Sequence, residues 1–252
     1  MSVQACAEIL RKGDPDRFLA VMAAPAQARA TLFPLYAFNV EVARAPWVTA
    51  EPLIAEMRLQ WWRDALGEIA AGGVVRRHEV AVPLAHVLRG ETARALIPLI
   101  DARAWDIGAD PFTDEAALGD YLANTGGRLL SVAARALGAP EAEAGRATAL
   151  GCAGAWANYL LAVPALIAAG KQPLPLNGEP WIARLSGEYL DRLGQGARGG
   201  SPPLRHAALS AWRARAILRR AQRDPGAVLE GRLGGSEFAR RAGLIRATVF
   251  GV

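Results

Sequence analysis

The chain has 252 residues, of which 52% are hydrophobic and 21% are charged, and this balance excludes a disordered chain. Two cysteines are too few for a disulfide framework or a cysteine-based zinc site. The formal net charge is +5, with the basic residues spread along the chain, so no nucleic-acid partner is expected. The first residues lack a basic stretch followed by an apolar run, which predicts no signal peptide and a cytoplasmic location.

Stretches rich in alanine, leucine and arginine, interrupted by glycine and proline, predict helices along the whole chain. No segment shows the sustained alternation of a strand. Asp14-Pro15 and Asp114 mark helix starts, and Gly72 and Gly138 mark helix ends. The chain is therefore predicted to form a single all-α domain over residues 1–252. The predicted helices are 3–12, 14–24, 26–45, 51–71, 80–89, 91–105, 113–137, 140–169, 179–194, 203–223 and 235–248.

The longest run without a charged residue is Ala147–Gly170. Its length would span a bilayer, but it is rich in alanine and glycine and contains Asn158 and Pro164, so its insertion into lipid would be weak. A helix that is apolar on all sides also suits the centre of a helical bundle. We therefore predict a buried central helix, with a membrane span as the alternative.

Carboxylates four residues apart are the first candidates for metal ligands in a large all-α fold. Asp106, Asp110 and Asp114 have this spacing, but Gly108 and Pro111 interrupt the segment and make a continuous helix face unfavourable. This pattern predicts a solvated loop that leads into a capped helix.

Other patterns also point to structure. Gly126-Gly127 lies inside a helical pattern and follows no strand, so it predicts a kink or a close helix contact and not a phosphate loop. No histidine pair has metal-ligand spacing, and neither cysteine has a nearby histidine. We therefore assign no metal ligand and no catalytic nucleophile.

The order of several segments resembles the squalene/phytoene synthase family. The resemblance implies an isoprenoid-synthase-type bundle of helices around a deep apolar cavity. It also implies head-to-head condensation of two prenyl diphosphates, with Mg²⁺ and the diphosphates held by two acidic clusters on facing helices. The segments that carry it are Ala24-Pro25 with Arg29, Leu35–Phe38, Arg58–Leu66, Tyr121–Gly127, Gly151–Pro164, Gly170-Lys171 with Leu174-Pro175, and Ile217–Arg220 with Arg223–Pro225.

The chain departs from this family at both acidic clusters. The positions that match the first cluster are Ala43, Arg44 and Trp47, and Glu41 is the one acid left beside them. The second cluster is missing, since residues 144–178 contain no Asp or Glu. Without these carboxylates nothing is expected to hold several hard cations. In this respect the chain is similar to the subgroup of the mitochondrial complex I assembly factor with this fold.

Eight residues are candidates for a ligand pocket. The basic ones match family positions and either bind an anion or pair with local acids. Together with Arg44, they are expected to bind a diphosphate directly. The aromatic and amide side chains fall on helices that would face the cavity, with a role in the core as the alternative. The candidates are Arg29, Tyr36, Asn39, Glu41, Arg63, Trp156, Asn158 and Lys171.

The predicted helix 203–223 carries six arginines beside Leu209, Trp212 and Ile217. It would lie against an anionic membrane surface or an acidic partner, or its arginines form a solvated outer face.

The sequence thus favours a non-catalytic pseudo-synthase that binds a prenyl lipid, a prenyl diphosphate or a partner protein. The resemblance extends this role to assembly of respiratory complex I. The alternative is an active prenyltransferase of isoprenoid biosynthesis. No cofactor is expected, and Mg²⁺ only under the alternative. The expected location is the cytoplasm, with peripheral contact at the inner face of the membrane as a further option.

Overall fold

The computed structural model describes residues 2–175, 178–197 and 199–252. About 78% of the structure is helical and the described residues contain no strand, which confirms the all-α prediction. The α-helices are α1 Val3–Gly13, α2 Pro15–Ala23, α3 Ala26–Arg44, α4 Pro52–Ala71, α5 Ala81–Val87, α6 Gly90–Arg94, α7 Ile97–Arg103, α8 Glu115–Leu122, α9 Arg128–Ala136, α10 Ala144–Ala168, α11 Gly178–Ala197, α12 Pro202–Ala208, α13 Ala214–Arg223, α14 Gly226–Leu229 and α15 Glu237–Phe250.

The predicted caps explain several helix boundaries. The carboxylate of Asp14 accepts a hydrogen bond from the backbone N–H of Arg17 at 2.9 Å, and Asp114 does the same for Ala117 at 2.8 Å. Gly72 ends α4 in the left-handed conformation, with φ of 70°, which glycine adopts without steric cost.

Helix α10 is the central helix of the bundle. It packs against α9, α11 and α13, and Leu150, Trp156 and Leu160 on it are almost fully buried. Among the described residues one helical stretch, Glu141–Ala168, is long and apolar enough to cross a membrane, and 56% of its most apolar window is buried inside the protein. The prediction of a buried central helix is confirmed.

A π-helical turn at Ala123–Gly127 joins α8 to α9 and touches α10. A Cβ added to Gly126 would lie 2.6 Å from Cβ of Ala155 and 2.7 Å from the carbonyl oxygen of Gly151. Only glycine permits this approach of two backbones, so the predicted close helix contact is confirmed.

Three predicted helices are divided in the structure, of which 113–137 becomes α8 and α9 on either side of the π-helical turn. The span 91–105 becomes α6 and α7, because Pro98 donates no backbone hydrogen bond and sits in the first turn of a new helix. The span 203–223 becomes α12 and α13, separated by a short 3₁₀ turn at Leu209–Ala211.

Candidate functional site

A cavity of about 370 Å³ opens between α3, the π-helical turn and α10. One wall comes from α3 and the turn after it. Asn39, Ala43 and Trp47 lie four residues apart there and so share one face. Ala43 and Trp47 are two of the positions at which the family resemblance implies acids. The cavity wall therefore carries no carboxylate at this place.

The opposite wall is the inner face of α10. Gly154, Asn158, Ala162 and Leu166 repeat every four residues along it, and all four line the cavity. Their side chains are absent, short or apolar, apart from the amide of Asn158. The second wall is therefore also free of carboxylates.

The polar end of the cavity is built from Arg103, Asp106 and Tyr121. The guanidinium of Arg103 donates to Asp106 Oδ2 at 2.9 Å and to Tyr121 Oη at 2.6 Å, and the Tyr121 hydroxyl donates to Asp106 Oδ1 at 2.9 Å. Burial raises the pKa of Tyr121 well above its usual range, so the hydroxyl keeps its proton at physiological pH. Burial opposes the charge of Arg103, but Tyr121 and Asp106 outweigh it and raise the pKa of the guanidinium.

The prediction of a solvated loop is wrong for Asp106, whose exposed fraction is 6%. It lies in a 3₁₀ turn at Ala104–Ile107 that packs against α7 and α4. The ammonium group of Lys171 fixes this turn from outside, because it donates to the carbonyl oxygens of Asp106 and Gly108, the latter at 2.6 Å. The prediction is correct for Asp114, which caps α8.

A second arginine lies on the cavity wall, and it is also paired. Arg17 donates to Asp14 Oδ2 at 2.6 Å, and its guanidinium lies 5.2 Å from the ring centroid of Tyr36. The three charged side chains that line the cavity in the described structure, Arg17, Arg103 and Asp106, therefore all have a partner of opposite charge. Each charge on the described lining is therefore in an ion pair, and the Nε atoms of Arg17 and Arg103 are the buried parts of these groups that have no hydrogen-bond partner.

Two of the eight candidate residues line the cavity. Asn39 is almost fully buried and Asn158 is open to the cavity, and neither has a hydrogen-bond partner among the described residues. Both amides are therefore free to bind a polar group of a ligand.

The aromatic candidates lie behind the walls. Tyr36 is buried beneath Arg17, and its hydroxyl donates to the carbonyl oxygen of Ala207 at 3.5 Å. Trp156 points toward α11, where its indole N–H donates to Ser186 Oγ at 3.3 Å. Both side chains belong to the core.

The charged candidates do not line the cavity. Arg29 donates to the carbonyl oxygens of Met22 and Ala24, at 2.7 and 3.0 Å. The other three also have partners. Glu41 pairs with Arg44 at 3.2 Å, Arg63 pairs with Asp101 at 2.6 Å, and Lys171 lies over the ring of Trp47, 4.8 Å from its centroid. The expectation that these basic residues form a diphosphate site is therefore not supported by their positions.

The residues around the cavity do not fit a magnesium cluster. Mg²⁺ and Ca²⁺ require oxygen ligands, chiefly carboxylates and water. Asp106 carries the one carboxylate on the described lining, and both its oxygens are engaged by Arg103 and Tyr121. Within the part of the chain that the structure describes, no group of three or more His, Cys, Asp or Glu side chains comes together.

Comparison with known proteins gives the family from sequence and the fold from structure. The family model of squalene/phytoene synthase matches residues 10–178. A Bos taurus protein named NADH dehydrogenase (ubiquinone) complex I, assembly factor 6, is 31% identical over 144 residues, which are 56% of this chain and 43% of the relative. The chain thus matches less than half the length of this relative.

Two solved structures share the fold. A dehydrosqualene synthase in complex with ligand superposes with a TM-score of 0.77 at 14% identity, over 98% of this chain and 95% of that one. Squalene synthase HpnC from Alicyclobacillus acidocaldarius gives 0.69 at 17% identity, over 88% and 93% of the two chains. At these identities the likeness establishes the isoprenoid-synthase fold alone.

Proposed function

Since the chain belongs to the squalene/phytoene synthase family, we propose that it is a pseudo-synthase that binds a prenyl lipid without condensing it and supports assembly of respiratory complex I. The absence of carboxylates from both cavity walls is the observation that carries this proposal. Ionisation of an allylic diphosphate requires metal ions or fixed cations at the leaving group. Here α3 presents Ala43, the turn after it presents Trp47, and α10 presents Ala162 and Leu166. The arginines on the lining are already in ion pairs.

The lining of the cavity also indicates which class of ligand it favours. An apolar cavity with paired charges favours a hydrocarbon chain, and the amides of Asn39 and Asn158 favour an uncharged polar end group. We therefore expect a prenyl alcohol or a similar neutral prenyl lipid to bind more tightly than the diphosphate. This role requires no cofactor.

The role in complex I assembly rests on the relatives. The Bos taurus protein is named an assembly factor of complex I, and it matches this chain over 144 residues. A protein partner from that complex and a location in the cytoplasm, at the inner face of the membrane, fit such a role.

The cavity is tested by binding and by product analysis. Geranylgeraniol should quench the tryptophan fluorescence of the protein at lower concentration than geranylgeranyl diphosphate does, because Trp47 lines the cavity. Ala162→Phe should abolish binding by filling the cavity, whereas Ala216→Phe, the same change at an exposed position of α13, should not. Farnesyl and geranylgeranyl diphosphate with Mg²⁺ should yield no squalene-like or phytoene-like product. Metal-dependent product from the purified protein would show that it is an active prenyltransferase.

The cellular role is tested by deletion of the gene in the source organism. Assembled complex I on native gels should fall, and it should return with the wild-type chain and with Ala216→Phe but not with Ala162→Phe. Normal levels of complex I in the deletion strain would contradict the assembly role and leave the binding result unaffected.

A further inference from the structure

Helix α15 carries an apolar face that points away from the protein. Phe238, Ala242, Ile245 and Val249 are spaced by four, three and four residues, so they form one stripe, which we call the outer face of α15. Phe238 is 82% exposed, and Ile245 and Val249 are each 66% exposed. Isolated apolar residues are common on protein surfaces, but a stripe along a whole helix marks a contact surface.

The opposite face attaches the helix to the bundle. Arg240 pairs with Asp16 at 2.5 Å, and Ala247 is buried. Gly243 packs against Trp212, since a Cβ at this position would lie 3.4 Å from the indole ring. Because α15 is held in this way, its outer face remains directed outward.

Arginines border the outer face on both sides. At 100° per residue, Arg241 lies on one edge of the stripe and Arg246 on the other. Arg215 lies near both Arg246 and Arg219, and burial together with these two neighbouring charges lowers its pKa. Within residues 2–175, 178–197 and 199–252, Arg219 and Arg246 have no acidic partner. Arg215 donates to the oxygen of Val252 at 3.3 Å, and Arg241 pairs with Glu237 at 3.4 Å.

The segment 203–223, considered above for membrane contact, cannot supply the apolar part of such a surface. Its apolar residues Leu209, Trp212 and Ile217 are buried in the bundle. Two of its six arginines are held within the protein, since Arg213 pairs with Asp16 and Arg220 donates to the carbonyl oxygen of Leu233. It contributes only cations, whereas α15 contributes the exposed apolar side chains.

We propose that the outer face of α15 lies in the headgroup region of an anionic lipid bilayer, with Arg241, Arg246 and Arg219 against the lipid phosphates. A helix with an apolar stripe between cationic borders binds in this plane through apolar burial and attraction to anionic lipid. A bilayer matches both the arginines and the apolar stripe without a shaped groove, which a protein partner would have to supply. Binding of this surface to lipid does not depend on which ligand fills the cavity or on a role in complex I assembly.

Flotation with vesicles tests the proposal. The protein should float with phosphatidylcholine vesicles that contain 30% phosphatidylglycerol, remain behind with pure phosphatidylcholine, and detach at high salt. Each arginine near an anionic surface strengthens binding by about fivefold, so Arg241→Gln/Arg246→Gln should weaken it by about 25-fold. Phe238→Ser/Ile245→Ser should weaken it by more than about tenfold.

The control places the same kind of change on another exposed apolar pair. Leu53 and Met57 of α4 are as exposed as the residues of the outer face, so Leu53→Ser/Met57→Ser should bind vesicles as the wild type does. Circular dichroism checks that each variant folds. If Phe238→Ser/Ile245→Ser does not fold, the single variant Ile245→Ser takes its place.

Three results would overturn the proposal. In the first, the wild type does not float with anionic vesicles. In the second, the α4 variant loses binding while the outer-face variants keep it. In the third, the outer-face variants convert a lipid-free dimer to a monomer without changing flotation, which would assign the stripe to a protein contact.

Discussion

The contact between the π-helical turn and α10 predicts a large effect of a single methyl group. In Gly151→Ala the new Cβ would lie 2.8 Å from the carbonyl carbon of Gly126 and 2.8 Å from Cα of Gly127. Both atoms are backbone, so no side chain can rotate away, and one helix must move by several tenths of an ångström. Overpacking of this kind costs about 1–3 kcal/mol, and we expect the upper end here. A chain of this length should then melt about 6–12 °C lower.

Gly67→Ala is the matched control. Gly67 lies in the interior of α4 and is exposed, and a Cβ added there would meet no other atom within 4 Å. Alanine there should stabilise the protein by about 0.5–1 kcal/mol through helix propensity. Thermal unfolding followed by circular dichroism measures both variants. A Gly151→Ala protein as stable as the wild type would refute the close backbone approach on which the cavity geometry depends.

Two further predictions concern the buried polar and thiol groups. Tyr121→Phe should lower the free energy of unfolding, measured in guanidinium, by about 1–3 kcal/mol, because Asp106 and Arg103 each lose a buried hydrogen-bond partner. The control is Tyr189→Phe, which should change this free energy little, because the Tyr189 hydroxyl has no hydrogen bond among the described residues. Equal losses in the two variants would refute the network. Burial raises the pKa of both Cys6 and Cys152 from 9.0 to about 11. The unfolded chain therefore binds fewer protons than the folded one above pH 9, and stability should fall between pH 9 and 11, less steeply in a Cys6→Ala/Cys152→Ala variant. Identical slopes in the two proteins would contradict this assignment.

The sequence predicted the framework of the cavity well, because its signals are local. The uncharged run of α10 and the caps at Asp14 and Asp114 depend on composition and spacing within a few residues. Gly126-Gly127 likewise indicated a close contact. The family resemblance then placed α3 and α10 on facing walls, and the structure puts Asn39 and Asn158 there.

The polar end of the cavity escaped prediction because its contacts join distant residues. Tyr121 meets Asp106 across 15 positions and Lys171 meets it across 65. Gly108 and Pro111 correctly indicated an irregular segment, but irregular backbone near a cavity need not be solvated. The i, i+4 spacing of the aspartates was the signal present, and it did not separate the buried residue from the exposed ones.

The sequence could not predict which face of α10 lines the cavity either. A helix that is apolar all round has no stripe to show which face meets which neighbour. Trp156 therefore seemed as suitable a wall residue as Asn158, although it faces α11. Arg29 and Arg63 were ambiguous for a similar reason, since a guanidinium is satisfied equally by backbone carbonyls, a nearby aspartate or a ligand.

The small residues on the inner face of α10 keep the cavity open, although its walls carry no carboxylates for metal ions. Protein interiors are packed to the density of organic crystals, and a void forfeits dispersion contacts with every atom that lines it. Gly151, Gly154, Ala155 and Ala162 nevertheless keep about 370 Å³ open, where larger apolar side chains would fill it. A bound hydrocarbon chain restores those contacts, and anything that binds only the folded state stabilises it by mass action. We therefore expect the proposed prenyl lipid to act as part of the hydrophobic core, so that its supply would control how much of the protein is folded.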